Sequence, residues 1–354
     1  MLFLDAAAHL PICQKAIESL IEFNQSLAGH GHPLSLSVAG QLAAGAIEEA
    51  RRKIASLLGA ESASQIVFTS GCSNACEWAF AIMVNKYKSS NVWISPTEHP
   101  AVKQAAVKYF GKLVTELGID GEGQITSLEG ARAPVACVYL QNELGVIQPL
   151  ERLKNCIYLF SDMSQAPGKV PFNLSSMNVD LAAFGAHKFG GPAGVGFLYF
   201  KNTSDWMEFG TGSRYTMDRA GTPDTAGIVA TAAALEWAIE TMPARTAKMI
   251  EFRDILESGL EEMGFEIIGK GVSRTPGVTF VRVGPGKGIE YMLALGGEGI
   301  SVGLGSACGC GTNSLMTRIG KSSNQHDYMR ISQFGEYGKE EAEEFLTTLK
   351  GIRR

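Results

Sequence analysis

One lysine, Lys188, stands in a glycine-rich turn between two apolar runs and directly follows a histidine. The turn at residues 189–192 (Phe-Gly-Gly-Pro) lets the backbone approach a ligand closely. The apolar flanks favour the neutral amine, because burial disfavours the charged form. A lysine with a lowered pKa is the residue type that forms a Schiff base with a carbonyl compound. Isolated turn lysines are usually solvated surface residues, so this hypothesis depends on the residues that accompany Lys188.

Three further segments carry suitable side chains at the ends of apolar runs. The turn at residues 70–73 (Ser-Gly-Cys-Ser) precedes a helical pattern, and free N–H groups at a helix N-terminus suit a phosphate. His99 follows another run and would either stack on a planar ring or cap a helix. Asp162 follows a third, where its carboxylate would either cap a helix or pair with a protonated pyridine nitrogen. That pairing is what makes pyridoxal phosphate an electron sink.

A glycine-rich loop at residues 303–311 presents Cys308 between small residues, which is the setting of a nucleophile rather than of a core cysteine. Cys310 follows in the same loop. The pairs Cys72-x3-Cys76 and Cys308-x-Cys310 could each supply half of a metal site. Neither is followed by the second pair or the histidines that zinc spacing demands, so we expect no metal.

The elements that must position these residues alternate between strands and helices. Helical periodicity covers residues 39–58 and 73–87, and buried-strand runs lie at 65–70, 92–95, 135–140, 156–160 and 195–200. This alternation predicts an α/β fold with a mostly parallel sheet and helices on both faces. Ligands of such sheets bind beyond the carboxyl ends of the strands, where the candidate residues fall.

The pattern changes after a predicted helix at residues 227–240. Met242-Pro243 is expected to break that helix, and a charged helix at 248–263 follows. Strands at 265–268, 277–283 and 328–332 and a helix at 339–350 then indicate a smaller α+β domain. We therefore predict a large domain at 12–243 and a small domain formed by 1–11 and 244–354.

Composition excludes several classes of protein. The 354 residues are 45% hydrophobic and 19% charged, with a net charge of -5, which offers no basic field for nucleic acid or an anionic membrane. No apolar stretch is long enough to span a bilayer, and the start of the chain lacks a basic segment typical of a secretion signal. Seven cysteines without regular spacing favour free thiols and a cytoplasmic location.

Taken together, these segments closely resemble the cysteine desulfurases. The matching segments are 69–73 (Thr-Ser-Gly-Cys-Ser), 97–99 (Thr-Glu-His), 141–148 (Gln-Asn-Glu-Leu-Gly-Val-Ile-Gln), 162–165 (Asp-Met-Ser-Gln), 187–188 (His-Lys), 220–223 (Ala-Gly-Thr-Pro), 305–308 (Gly-Ser-Ala-Cys) and 329–332 (Met-Arg-Ile-Ser). They occur in family order over nearly the whole chain. The resemblance implies a class V aminotransferase-like, fold-type-I pyridoxal phosphate enzyme with a seven-stranded large-domain sheet.

The resemblance also implies roles for the cofactor-binding residues. Lys188 would form the Schiff base with pyridoxal 5'-phosphate and move protons on the substrate. Asp162 would pair with the pyridine nitrogen, Gln165 would bond the phenolic oxygen, and His99 would stack on the ring and take part in catalysis. The remaining cofactor contacts implied by the family are Cys72, Ser73, Asn142 and His187.

Substrate and partner roles follow from the same resemblance. Asn142 and Arg330 would hold L-cysteine, with the guanidinium gripping its carboxylate. Cys308 would take the sulfur as a persulfide, leave alanine as product, and pass the sulfur to an acceptor protein. Thr222 would reach a phosphate in the partner subunit, which implies a homodimer.

The sequence also departs from the family pattern. Gly185 replaces the serine that usually lies two residues before the His-Lys pair, His9-Leu-Pro11 replaces Thr-Thr-Pro, and His32-Pro33 replaces Asn-Pro. Other class V enzymes, namely an aminotransferase or a selenocysteine lyase, remain alternatives, as does a cofactor-binding scaffold without catalysis. The sequence leaves open the sulfur acceptor, the pathway (iron–sulfur cluster assembly, tRNA thiolation or DNA modification) and the role of Cys310.

Overall fold

Short strands and helices alternate along the chain. The computed structural model describes residues 1–87, 90–126, 132–209, 221–305 and 314–353. The strands are β1 (Leu2–Leu4), β2 (Ile66–Thr69), β3 (Val92–Ile94), β4 (Val114–Glu116), β5 (Pro134–Ala136), β6 (Tyr158–Asp162), β7 (Leu181–Gly185), β8 (Gly196–Phe200), β9 (Glu266–Ile268), β10 (Val278–Arg282), β11 (Ile300–Val302) and β12 (Tyr328–Ser332). The helices are α1 (Gln14–Gln25), α2 (Val38–Leu58), α3 (Cys72–Lys86), α4 (Pro100–Phe110), α5 (Ser204–Phe209), α6 (Thr225–Glu240), α7 (Met242–Glu262), α8 (Lys287–Gly297), α9 (Ser314–Arg318) and α10 (Lys339–Ile352). None of the helices in these ranges is both long and apolar enough to cross a bilayer.

Seven of the described strands form one sheet in the order β2-β8-β7-β6-β5-β3-β4. Strand β8 runs antiparallel to both of its neighbours, and every other pair is parallel. The mostly parallel sheet predicted from the sequence is confirmed. Because β2, β3, β5, β6 and β7 point the same way, their carboxyl ends share one edge.

The central strands are buried on both faces. Every residue of β6, β7 and β8 is buried, as expected where helices cover a parallel sheet on both sides. Side chains alternate between two cores: Leu159 and Phe184 pack on one face, whereas Phe160 and Leu181 pack on the other. This period of two explains why these strands read as continuous apolar runs.

The C-terminal elements and the N-terminal strand form a further layer. Strands β12, β10 and β9 make an antiparallel sheet, and β1 pairs in parallel with β11. Leu2 and Leu4 of β1 join a core with residues of α7, α8 and α10. The first residues of the chain therefore pack against its last third, while the domain boundaries given above remain a prediction.

The junction between α6 and α7 differs from the prediction at residues 242–263. Helix α6 ends at Glu240 and α7 begins at Met242, with Pro243 in its first turn. Proline is tolerated there because the first N–H groups of a helix have no partner within the helix. The chain therefore does break between two helices here, but α7 begins at Met242 and not at residue 248 as predicted.

Candidate active site

A cavity of about 270 Å³ lies at the carboxyl edge of the large sheet. Its wall brings together most of the predicted site residues, namely Cys72, Ser73, His99, Asn142, Asp162, Gln165, His187, Lys188 and Arg330. Arg330 lies within β12 and Asp162 is the last residue of β6. Each of the other residues comes after the end of β2, β3, β5, β6 or β7. The parallel strand ends therefore gather residues that are far apart in the sequence, as the strand pattern predicted.

Lys188 ends the short 3-10 turn that follows β7. Its Nζ donates hydrogen bonds to the carbonyl oxygens of Ala7 at 2.9 Å and Ala8 at 2.6 Å. Burial, with a smaller contribution from the Arg330 cation, lowers the pKa of Lys188 to about 8. A larger share of this amine is therefore neutral near physiological pH than for an exposed lysine, and the neutral amine is the nucleophile.

Asp162 is the last residue of β6 and is 8% exposed. Its Oδ1 accepts a hydrogen bond from the Ser164 N–H at 2.9 Å and lies 3.6 Å from Cys72 Sγ. The Ser164 bond fixes the carboxylate at the strand end, where the cavity begins. A buried carboxylate held in this way can accept a bond from a cationic ring nitrogen of a ligand.

Gln165 is oriented by a buried lysine that the sequence analysis did not single out. Gln165 Nε2 donates to the Ala7 carbonyl at 2.9 Å, and Gln165 Oε1 accepts from Lys169 Nζ. Because Lys169 donates this bond, it determines that the oxygen end of the Gln165 amide faces it. Burial lowers the pKa of Lys169, which is 3% exposed, well below its usual range. In the sequence, the separation of four residues between Gln165 and Lys169 was the feature that could have indicated this contact.

His99 both caps a helix and lines the cavity, and its stacking on a planar ring stays a prediction. It is the N-cap of α4, and its Nδ1 accepts from the Ala101 N–H at 3.1 Å. The neutral ring therefore carries its hydrogen on Nε2. Burial lowers the pKa of His99, which favours this neutral form. The hydrogen bond from the Ala101 N–H fixes the orientation of the ring.

The preceding residue, Glu98, is a second buried group that sequence reasoning passed over. It is 4% exposed, its Oε1 accepts from the Val138 N–H, and its Oε2 has no hydrogen-bond partner among the described residues. Burial, with the nearby Asp162 carboxylate, raises the pKa of Glu98 to about 8. This carboxyl group is therefore protonated over most of the physiological range.

The N-terminus of α3 forms one end of the cavity. Gly71 has a φ of 136° immediately before this helix, a conformation that residues with a side chain rarely adopt. No side chain of the described residues caps α3, so the first N–H groups, beside Cys72 and Ser73, are available to an anion. A helix end of this kind is a ready phosphate site.

Arg330 enters the cavity from β12 and is 1% exposed. Its Nη2 donates to Asp5 Oδ1 at 2.7 Å, and its Nη1 donates to the Asn142 carbonyl at 3.1 Å. Its Nε has no partner within the described part of the chain. Asp5, which the sequence analysis did not identify, neutralises this buried cation and keeps the guanidinium directed at the cavity.

One predicted residue among those described, Thr222, does not lie in the cavity wall. Thr222 is exposed, and its hydroxyl lies 3.3 Å from His32 Nε2 on the outer surface. Cys308, like Cys310, lies outside the described residues. The sequence-based roles of these residues remain predictions.

Known proteins share the sequence pattern and the fold of this chain. The family model of the class-V aminotransferases matches residues 2–345. The chain belongs to the class-V aminotransferase family.

It is 32% identical to a cysteine desulfurase IscS of Dictyoglomus turgidum, over 86% of this chain and 82% of that relative. It is 31% identical to a cysteine desulfurase IscS of Clostridium botulinum, over 99% of this chain and 94% of that relative. A solved NifS-like protein superposes with a TM-score of 0.84 at 27% identity, covering 99% of each chain. Within the class-V aminotransferases, the chain is a member of the cysteine desulfurase family.

Two departures from the cysteine desulfurase pattern have a structural explanation. The His9 ring stacks on His187 with ring centroids 5.7 Å apart, so this histidine covers the residue beside the lysine. At Gly185, an added Cβ would lie 3.2 Å from the Cβ of Cys72, which is closer than ordinary contact. Glycine at 185 is therefore matched to the side chain at 72, and the usual serine would crowd the start of α3.

Proposed function

We propose that this class-V aminotransferase is a pyridoxal phosphate-dependent cysteine desulfurase that converts L-cysteine to L-alanine and retains the sulfur as a persulfide. One observation carries the proposal. A lysine whose pKa is lowered to about 8 shares one cavity with a buried carboxylate and a buried arginine. These are the groups needed to bind a carbonyl cofactor and an amino acid carboxylate together. The relatives named cysteine desulfurase support the choice of substrate.

The donor set of the cavity fits pyridoxal 5'-phosphate. Asp162 offers an anionic acceptor for the pyridine nitrogen, the α3 N-terminus offers N–H groups for the phosphate, and Lys188 offers an amine for the aldehyde. The buried Ser164 hydroxyl at the wall has no hydrogen-bond partner among the described residues that meets ordinary geometric limits. When bound, this cofactor supplies an electron sink for bonds to the substrate α- and β-carbons.

Arg330 and Asn142 would bind the amino acid. Arg330 lines the cavity, and its Nε has no hydrogen-bond partner among the described residues. Its planar fork suits a carboxylate. The chain segment at Ala7 and Ala8, which holds Lys188 Nζ by two carbonyl groups, positions the amine that takes and returns protons. His99, which is neutral and held in place by its hydrogen bond at the start of α4, would face the cofactor ring.

The sulfur transfer would use Cys308 as the nucleophile. Its thiolate attacks the substrate sulfur, the carbon–sulfur bond breaks, and the carbon takes that electron pair and then a proton. L-Cysteine and the enzyme thiol thus become L-alanine and an enzyme persulfide without an external oxidant or reductant. An acceptor protein would then remove the sulfur.

The surface around Thr222 would be covered by a second copy of the chain. Leu36 and Val38, close in sequence to the Thr222 contact His32, are 90% and 68% exposed, so a second copy of the chain could remove their apolar surface from water. A homodimer would bury them and bring Thr222 towards the partner's phosphate. The described cysteines are free thiols, which supports a cytoplasmic location as part of this proposal.

Incubating the purified protein with L-cysteine tests the proposal. We expect alanine and sulfide in equal amounts when a reducing thiol is present. Borohydride should attach the yellow cofactor to one peptide that contains Lys188. In Cys308→Ala, cofactor binding should persist while sulfide release is lost. Formation of 3-mercaptopyruvate in place of alanine, with the amino group transferred to a keto acid, would identify an aminotransferase. Labelling of another lysine would refute the assignment of Lys188.

A further inference from the structure

Two thiols and a carboxylate meet beside the cavity. Cys72 and Cys76 lie four residues apart on α3, and their sulfur atoms are 3.7 Å apart. Cys72 Sγ is also 3.6 Å from Asp162 Oδ1, and the ligand atoms of all three residues lie within 4.8 Å of one another. Among the described residues, this is the group of histidine, cysteine and acidic side chains close enough to hold one ion.

Two of the three separations between these atoms match those of a tetrahedral metal site. Zinc bonds of about 2.3 Å to sulfur and about 2.0 Å to oxygen place two sulfurs about 3.8 Å apart, and a sulfur and an oxygen about 3.5 Å apart. The observed separations of 3.7 Å and 3.6 Å agree closely with these edges. Ligands four residues apart on one helix face are also the arrangement of known zinc helices.

The surroundings supply a further oxygen and a compensating charge. The Ser164 N–H holds the Asp162 carboxylate, and the Ser164 hydroxyl neighbours the Cys72 thiol without meeting ordinary hydrogen-bond limits. That hydroxyl or a water can fill a fourth position. The Lys188 ammonium lies close enough to interact with both Cys72 and Asp162, so it offsets the excess negative charge of two thiolates and a carboxylate.

We propose that Cys72, Cys76 and Asp162 form a binding site for a thiophilic divalent cation such as zinc. Binding breaks two S–H bonds, forms two metal–sulfur bonds and releases two protons to solvent. The sequence spacing disfavoured a metal at Cys72-x3-Cys76 because no further ligand lies nearby in the chain. The fold supplies that ligand from the end of β6.

The site has a consequence for the cofactor, and this part rests on the proposed function. An Asp162 carboxylate that binds a cation has less negative charge left for the protonated pyridine nitrogen, so the cation and pyridoxal phosphate oppose each other's binding. A protein loaded with metal should take up cofactor more weakly, by the mass-action factor set by the metal concentration and its dissociation constant. The cation would therefore act as an inhibitor of cofactor loading.

Cadmium titration of the full-length chain tests the site. The parent carries Cys308→Ala and Cys310→Ala, so that the loop thiols cannot contribute, and its cofactor has been removed. We expect one cadmium per chain, an ultraviolet thiolate-to-cadmium band and displacement by zinc. Cys76→Ala and Cys72→Ala should each weaken binding by at least about a hundredfold, since changes outside the ligand set alone cost 10- to 100-fold.

Cys156→Ala is the matched control, because it removes a half-buried thiol from another part of the fold and should leave cadmium binding unchanged. Circular dichroism shows whether each variant is folded. If Cys76→Ala does not fold, Cys72→Ala, at the cavity wall, still tests the site. No band at saturating cadmium, or an intact band in both cysteine variants, would overturn the proposal. If the band forms equally in the protein loaded with pyridoxal phosphate, the metal site stands and the proposed role of Asp162 fails.

Discussion

At the scale of single residues, Arg330 combines burial with an incomplete set of partners. Asp5 and the Asn142 carbonyl occupy its two terminal nitrogens, and Nε has no partner in the described part of the chain. The guanidinium is therefore held in place before any substrate arrives. Pre-positioning of this kind reduces the ordering cost of binding a carboxylate.

Arg330→Lys should weaken L-cysteine binding without removing the cofactor. Lysine cannot reproduce the two charge-assisted bonds of the planar fork, and the loss of one such bond costs about 1.5–3 kcal/mol. The apparent affinity should fall roughly ten- to a hundredfold. A titration of the visible spectrum with L-cysteine measures this, and an unchanged half-saturation would mean that another residue binds the carboxylate.

Glu98 should make the stability of the protein depend on pH. Its pKa is raised from 4.5 to about 8 in the folded chain, so between these values the folded state binds more protons than the unfolded state. Stability contributed by the neutral carboxyl is present at low pH and is lost as pH rises through about 8.

Glu98→Gln keeps an oxygen for the Val138 N–H and cannot ionise. Its melting temperature relative to the unmodified protein should therefore increase steadily from pH 5 to pH 9 (about the limits of the effect). Exposed Glu262, changed to Gln, is the control and should show no such trend. A constant difference across this pH range would show that Glu98 is ionised throughout.

The sequence supported prediction of those site residues that end a strand or begin a helix. Asp162, His99 and Lys188 follow short apolar runs, and such runs end at a common edge in a parallel sheet. Asp5, Glu98 and Lys169 were missed because their roles depend on contacts made only after folding. Asp5 and Arg330, for example, are joined by a bond that spans 325 positions of the chain.

At the scale of elements, the end of β7 and the start of α3 are adjusted to each other. Gly185 has φ -124° and ψ 120°, an extended backbone that any residue adopts, so its glycine is explained by space. The crowding atom is the Cβ of Cys72. Substitutions at Gly185 and Cys72 therefore test the steric crowding alone, without a contribution from backbone strain.

Gly185→Ser should lower the free energy of unfolding by about 1–3 kcal/mol, the usual effect of overpacking. Cys72→Gly removes the crowding Cβ and should reduce this loss by about 1 kcal/mol, whereas Cys72→Ala retains that atom and should not. Chemical unfolding of the single and double variants gives the coupling energy. Additive effects with glycine at 72 would contradict the steric account.

Helix α7 illustrates the limit of reading elements from composition. The Met-Pro pair predicted a break, and it also suits the first turn of a new helix; only packing decides between the two. Arg245, in the added first part of α7, is buried with its guanidinium 3.9 Å above the Phe334 ring and bonded to the Phe334 carbonyl. These distant contacts extend the helix beyond what its sequence pattern indicated.

At the scale of the whole molecule, the proposed homodimer would cover the exposed aliphatic side chains after residue 32. Leu36→Asp should convert the proposed dimer to a monomer, because a charge there would be buried without a partner. Leu293→Asp, at a 66% exposed leucine on α8, is the matched control and should stay dimeric. Light scattering after size exclusion measures both, and a dimer that survives Leu36→Asp would place the interface elsewhere.

The pairing of β1 with β11 joins Leu2 to Ile300. The segment after β1 also supplies the two carbonyl groups that hold Lys188. The ribosome synthesises β1 long before β11, so β1 has no strand to pair with until residues 300–302 have been made. The carbonyl groups that hold Lys188 are therefore fixed by this pairing only after β11 is synthesised, and cofactor capture in this arrangement requires that strand.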